Sequence, residues 1–350
     1  MNQQKILIGT HLEEDLRSLL REVEYDRLFV LTDERTHTFC FPLLKQTGLV
    51  DEAQVITVAA GDEHKDLAAL ADVWMALSRE GATRHSLLLN LGGGMIGDLG
   101  GFAAASFKRG IKFVNLPTTL LAMVDASVGG KTGINFDGLK NEVGVFASAA
   151  GVVIDTSFLA TLDHPNILSG YAEMLKHGLL SSEIHWADLL HFDVEQIDYP
   201  LLGRMVNRSV AVKAEIVAKD PHEQYIRKAL NLGHTVGHAF ESLALADGRP
   251  VLHGYAVAWG LICELYLSVQ KEGFPIDKFR QTVAFIKSHY GSFVFDCRQY
   301  EHLYELMLHD KKNTAGVVNF SLLGDIGEVR IDRTASKDEL FEAFDFYRES

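Results

Sequence analysis

Leu87-Leu88-Leu89-Asn90-Leu91-Gly92-Gly93-Gly94-Met95-Ile96-Gly97-Asp98 is the stretch on which the fold turns. An apolar run ends in consecutive glycines and passes straight into a helical pattern. A run this apolar suits a strand buried on both faces, as in a parallel sheet covered by helices. Successive glycines let backbone N–H groups approach a pyrophosphate at a positive helix N-terminus, and the strand before and helix after favour a nucleotide over a merely tight turn. The spacing is not GxGxxG, so a Rossmann dehydrogenase is not the first reading.

Working outward, Leu28-Phe29-Val30-Leu31, Val55-Ile56-Thr57-Val58, Phe113-Val114-Asn115-Leu116 and Val152-Val153-Ile154 are further runs of the same kind. Leu67, Leu70, Val73, Trp74 and Leu77 mark one face of an intervening helix. The pattern predicts an α/β N-terminal domain with a mainly parallel, doubly wound sheet over residues 1–158. Beyond it the texture changes. Residues 169–180, 201–218, 230–245, 255–270 and 300–311 carry helical periodicity, with one β-like segment at 317–322, so residues 159–350 read as a mostly α-helical C-terminal domain.

The bulk numbers agree with two domains, since 350 residues are too many for one simple core. A net charge of −14 argues against a nucleic-acid partner. Cys40, Cys263 and Cys297 lie far apart and form no CxxC pair, which suits reduced thiols. The N-terminal residues lack the apolar stretch of a signal peptide, and no apolar run approaches membrane-spanning length. The expectation is a cytoplasmic protein.

Asp33, just after a strand, suits either a ribose contact or a helix cap. Thr118-Thr119 follows another strand and suits either a cofactor contact or a helix start. Asn231-Leu232-Gly233-His234-Thr235-Val236-Gly237-His238 puts two histidines four apart on one helical face. His253 follows after a loop, and Glu173 lies on another helix. Imidazoles plus one carboxylate with an open position form a catalytic zinc pattern. The small residues Gly233, Gly237 and Ala239 let helix backbones pack closely there. Arg109, Lys131, Lys140, Lys176, Lys213, Arg227 and Lys311-Lys312 are cations that, in an acidic chain, suggest recognition of phosphate or carboxylate. Lys131 stands out because Gly129-Gly130 brings backbone donors beside it.

Several of these segments together, in order, resemble the 3-dehydroquinate synthase family: Gly92 to Asp98, Ala103-Ala104-Ala105-Ser106-Phe107-Lys108-Arg109-Gly110, Leu116 to Gly133, Gly170 to Gly178, and Leu230 to Glu241. The matching stretch runs from Asn90 to Val269. The resemblance implies an NAD-binding first domain and a metal- and substrate-binding second domain, with zinc or cobalt as the ion. It implies that Glu173, His234 and His253 hold that ion and that His238 faces the substrate near its phosphate. It implies that Asp125, Lys131, Lys140, Asn141, Lys176, Lys213, Arg227, Asn231 and Lys311 or Lys312 line the pocket, Asp125 and Lys140 on its cofactor side. Arg109 would reach a phosphate across a homodimer interface. Gly94, Asp98, Thr118 and Thr119 would touch NAD, with Asp33, Asp62 and Lys65 near its ribose. Two positions depart from the family pattern: Asp62 stands where a glutamate is usual, and Leu139 where a glycine is usual before the Lys-Asn pair. The implied substrate is 3-deoxy-arabino-heptulosonate 7-phosphate, a small anionic sugar-acid phosphate. Other sugar-phosphate cyclases, the metal-dependent alcohol dehydrogenases and a non-catalytic NAD-binding regulator are the rival readings.

Overall fold

The computed structural model describes residues 4–308 and 317–350. It forms two compact units. The first comprises the described residues up to Asp163 together with Tyr199–Val210; the second comprises His164–Asp198 and the described residues from Ala211. The helix Tyr199–Lys219 thus contributes its first half to one unit and its second half to the other.

The first unit contains β1 (Lys5–Gly9), β2 (Leu28–Asp33), β3 (Gln54–Val58), β4 (Leu87–Gly92), β5 (Lys112–Pro117), β6 (Lys131–Phe136), β7 (Leu139–Phe146) and β8 (Gly151–Asp155). Six of these form one sheet in the order β1-β8-β5-β4-β2-β3, and every pairing is parallel. The apolar run that opened the sequence reading is β4, buried along its whole length. Phe29, Leu31 and Leu88 from the sheet pack with Leu70, Val73 and Leu77 of the Leu67–Arg79 helix. Ile96, Leu99 and Ala103 of the Gly94–Ser106 helix join them. That second helix lies directly against β4, since a Cβ at Gly100 would sit 2.0 Å from Asn90 Oδ1. Because β2, β4 and β5 are neighbours and parallel, their C-terminal ends carry Asp33, the glycine turn and Thr118-Thr119 on one edge of the sheet, where ligands of open α/β sheets bind.

β6 and β7 form a separate antiparallel hairpin. The sequence reading did not anticipate it, because β7 is exposed at every position and shows no apolar alternation. Glycines let its strands close up: a Cβ at Gly144 would lie 2.1 Å from Thr132 O.

In the second unit the helix His253–Glu272 is central. It packs against His164–Ser181, His234–Ala246, Ile276–Tyr290 and Lys337–Glu349. Its near-complete burial explains why it reads as apolar all round. Where a single β-like segment was expected, two strands occur, β9 (Asn319–Asp325) and β10 (Glu328–Thr334), paired antiparallel. β10 is mostly exposed and polar, so its sequence carries little strand signal. Among the described residues, no helix is long and apolar enough to cross a membrane.

Candidate metal centre and cofactor turn

Three helices of the second unit bring a carboxylate and three imidazoles together. Glu173 lies inside His164–Ser181, His234 and His238 lie on His234–Ala246, and His253 opens His253–Glu272. Close helix approach makes this possible: a Cβ at Gly254 would lie 1.8 Å from Ser169 O, so only glycine lets those two backbones touch. Ser169 Oγ accepts from Gly254 N at 3.1 Å across the same contact.

Glu173 is fully buried. Its Oε2 pairs with Lys176 Nζ, and its Oε1 lies 3.3 Å from His234 Nε2 and 3.7 Å from His253 Nε2. Burial alone would raise its pKa, yet Lys176, His234 and His253 hold it well below the ordinary carboxylate range. Burial would lower the His253 pKa, but Glu173 and Glu241 push it up to about 10. The donor set fits a divalent ion. Ligand–ligand edges of a tetrahedron built on bonds of about 2.1 Å are roughly 3.4 Å, close to both separations. One nitrogen from each of His234, His238 and His253 lies within 4.8 Å of the others, so His238 stands beside the same point.

Glu241, which the sequence reading passed over, has Oε2 3.3 Å from His253 Nδ1. A carboxylate behind a ligand imidazole fixes its tautomer and leaves Nε2 for the ion. The available signal was position: Glu241 follows His234 by seven residues on the same helix.

Lys176 and Arg227 are almost fully buried, as is Lys213. Asp220 organises the turn that carries Arg227 by accepting from the backbone N–H groups of Gln224, Tyr225 and Arg227 at 3.0, 2.6 and 3.1 Å. The Arg227 guanidinium donates to Pro221 O at 2.6 Å, and Asn231 Nδ2 donates to Glu223 Oε1 at 3.1 Å. The 226–231 turn packs on the Glu173 helix. Lys311 and Lys312 lie outside the described residues.

In the first unit Asp33 caps the following helix, accepting from Thr36 N at 2.8 Å. Thr118 is buried with its N–H on Gly92 O, and Thr119 Oγ1 accepts from Ala122 N at 3.1 Å. Of the two roles open to Asp33 and to Thr119, the geometry displays the helix-capping one. Gly94 begins the helix after β4, and a Cβ at Gly97 in its first turn would meet nothing within 4 Å, leaving open space at that helix N-terminus.

Asp62, Lys65, Asp98, Lys140 and Asn141 form one polar cluster. The buried Lys65 ammonium donates to Asp98 Oδ2 at 3.1 Å and Asn141 Oδ1 at 2.6 Å, and lies 3.3 Å from Asp62. Lys140 Nζ is 3.5 Å from Asp62. Burial raises the Asp98 pKa, reinforced by the charges of Asp62 and Asp125 and opposed by Lys65. At Asp62 the effect of burial is outweighed by Lys65 and Lys140, and the pKa falls. Asn135, absent from the sequence-based set, stitches the cluster: its Nδ2 donates to Asp62 O at 2.8 Å and its Oδ1 accepts from Asn141 N at 2.9 Å. The shorter Asp62 is thus engaged with lysines, and Leu139 is accommodated at the exposed start of β7. Asp125 sits in the π-helical turn Ala122–Ala126, Lys131 is exposed at the start of β6, and Arg109 is exposed with φ 67 beside Lys108 at φ 50. Two successive non-glycine residues in the left-handed region mark a strained turn of the kind that gathers at functional sites.

A parallel α/β unit followed by a helical unit is a fold that this chain shares with solved NAD+-bound proteins. The fold matches 2-epi-5-epi-valiolone synthase from Streptomyces hygroscopicus subsp. jinggangensis with a TM-score of 0.87 at 22% identity, covering 100% of this chain and 98% of that one. It matches a 2-deoxy-scyllo-inosose synthase at 0.85 and 21%, covering 99% and 96%. Within that fold, the chain belongs to the 3-dehydroquinate synthase family. The family models described as 3-dehydroquinate synthase N-terminal and C-terminal match residues 55–169 and 170–313. The 3-dehydroquinate synthase of Parabacteroides distasonis is 54% identical over 350 residues, covering 100% of this chain and 99% of that protein. The one from Leptospira interrogans is 34% identical over 349 residues, covering 98% and 96%.

Proposed function

We propose that the chain catalyses the 3-dehydroquinate synthase reaction, converting 3-deoxy-arabino-heptulosonate 7-phosphate to 3-dehydroquinate and inorganic phosphate with no net oxidation. The observation that carries this reading is the buried Glu173 carboxylate, whose Oε1 faces the Nε2 atoms of both His234 and His253. The solved 2-deoxy-scyllo-inosose synthase is described as a complex with carbaglucose-6-phosphate, NAD+ and Co2+, and the valiolone synthase as bound to NAD+ and Zn2+. When bound here, NAD supplies a reversible hydride acceptor, and a divalent ion makes a carbinol hydroxyl more acidic.

Glu173, His234 and His253 hold the ion in this reading, with Glu241 orienting His253. Lys176 balances the Glu173 charge in a site without exposure, where an unpaired carboxylate is costly. Lys213, Arg227 and Asn231 bind the carboxylate and hydroxyls of the substrate. Lys131, His238 and Arg109 bind its phosphate and stabilise the anion that leaves, with Lys311 or Lys312 (Lys312 the first choice) as a further substrate contact. Gly94, Asp98, Thr118 and Thr119 seat the cofactor, with Asp33, Asp62, Lys65, Asp125 and Lys140 on the same side. A homodimer, to which Arg109 contributes across the interface, and a cytoplasmic location complete the reading. In this reading residues 1–158 bind NAD and also supply Lys131 and Arg109, and residues 159–350 bind metal and substrate.

The test is an assay with the heptulosonate phosphate, NAD and Co2+ that follows phosphate and NADH together. Stoichiometric phosphate release without net NADH supports the reading. Net NADH formation, as a metal-dependent alcohol dehydrogenase gives, overturns it. Equal turnover of a sugar phosphate lacking the carboxylate would favour another cyclase.

A further inference from the structure

The helix His234–Ala246 opens on a residue that cannot cap it. Gly233 is its N-cap, with φ 80. A Cβ at that position would lie 2.8 Å from Leu261 Cγ and 3.0 Å from Val257 O, so serine, threonine and aspartate are all shut out. The first-turn N–H groups still need acceptors. They find them on the neighbouring helix His253–Glu272. Glu264, with 0% exposure, accepts from Gly233 N at 2.7 Å through Oε2 and from Val236 N at 3.1 Å through Oε1. Its negative charge stands at the positive end of the helix dipole, and charge-assisted bonds to backbone N–H are the strong kind.

The grip is rigid because both backbones meet one turn away. A Cβ at Gly260 would lie 2.1 Å from Gly233 O and 2.6 Å from Gly237 N. Glu264 therefore reaches a backbone that has nowhere to slide. What that backbone holds is His234, the next residue. His234 Nδ1 lies 3.2 Å from Leu232 O, and a carbonyl can only accept, so Nδ1 carries the proton. That bond holds the ring with Nε2 turned toward Glu173 Oε1, 3.3 Å away, the side on which an ion would sit. Glu264 fixes the peptide units on either side of His234, and those units fix its ring.

We propose that Glu264 is a positioning residue for the metal centre: a buried carboxylate that caps the backbone at Gly233 and Val236 and so presents His234 Nε2 to the ion. This rests on the reading of Glu173, His234 and His253 as ligands. A carboxylate that merely stabilised the fold would change thermal stability but not ion affinity or coordination.

The test uses the full chain and Co2+. Glu264→Gln keeps the size but turns an amide N–H2 toward a backbone donor. Co2+ affinity is read by chelator competition, coordination by the visible Co2+ spectrum, and NAD affinity by titration. The expected result for Glu264→Gln is Co2+ binding about 10–100-fold weaker, the usual cost of losing an outer partner of a ligand, with an altered spectrum and unchanged NAD affinity. A folded Glu264→Gln variant with wild-type Co2+ affinity and spectrum overturns the proposal. His234→Ala is measured alongside. If His234→Ala binds Co2+ as well as wild type, the ligand reading itself fails; if it loses Co2+ while Glu264→Gln does not, only the positioning role fails. A measurement on the wild type decides should the variants not fold. Coupling is reciprocal, so Co2+ must slow hydrogen exchange at the Gly233 and Val236 amides, and unchanged exchange there contradicts the proposal.

Discussion

Gly254→Ala adds one methyl group at the point where two ligand-bearing helices touch. A Cβ at 254 would lie 1.8 Å from Ser169 O and 2.5 Å from its carbonyl carbon, against a floor of 3.0 Å for real Cβ contacts. The obstacle is backbone, so no rotamer change relieves it. The helices His164–Ser181 and His253–Glu272 must part by about 1 Å or more, a displacement that in an active site costs on the order of 10²-fold in turnover. Glu173 rides on one helix and His253 opens the other, at 3.7 Å between Oε1 and Nε2, so their separation widens directly. Overpacking of this kind costs roughly 1–3 kcal/mol in stability, and each kcal/mol lowers Tm by about 2–4 °C at this unit size. The assay is phosphate release from the heptulosonate phosphate at saturating NAD and Co2+, with Co2+ affinity by chelator competition and Tm by calorimetry. Ser169→Ala is the control. It removes only the Oγ acceptor of Gly254 N, costs about 1–3 kcal/mol for the buried N–H left unsatisfied, and leaves Co2+ affinity intact. Gly254→Ala with wild-type Co2+ affinity and turnover would refute the claim that this contact sets the ligand spacing.

Other consequences can be checked independently. Gly97→Ala fills open space in a helical turn, so it should raise stability by up to about 1 kcal/mol while weakening NAD binding, seen by titration; unchanged NAD affinity would remove the phosphates from that helix N-terminus. Lys131→Ala should lower turnover by about 10²–10³-fold, by analogy with loss of an oxyanion donor, and weaken phosphate-bearing ligands more than NAD; equal losses would count against its assignment to the substrate. Burial would raise the Asp220 pKa, but the Tyr225, Gln224 and Arg227 N–H groups and the Arg227 charge bring it below the ordinary value. The stability it contributes is therefore complete above the unfolded carboxylate value near ~3.9 and is lost as pH falls through the lower folded value. Asp220→Asn should accordingly flatten the acid limb of the stability curve measured by denaturant unfolding, and an unchanged limb would show that the Arg227 turn does not depend on that charge.

The parts of the fold legible in the sequence were those where burial is uniform. β4 reads as an unbroken apolar run because both of its faces are covered, and the glycine turn announces itself by composition. The hairpin β6–β7 was not legible, since β7 has no buried face to impose a period. At the metal centre, residue type pointed to the histidines, but helical spacing pairs His234 with His238. Glu173 Oε1 instead approaches His234 and His253, which enter from different helices. Glu241 and Glu264 escaped notice because their partners, an imidazole nitrogen and two backbone N–H groups, come from elements distant in sequence. Glu264 did leave a trace, as a lone acid in the apolar run from Ala256 to Leu267. Asn135 left none, because its role is to bond backbone atoms of Asp62 and of Asn141 in β7, which only the fold brings together.

The most direct measurement is an anomalous difference map from crystals of the Co2+-loaded protein, collected on both sides of the cobalt edge. The account predicts a single strong peak within bonding distance of Glu173 Oε1, His234 Nε2 and His253 Nε2. A peak held by His238 without Glu173, or no peak in that cluster, would contradict it.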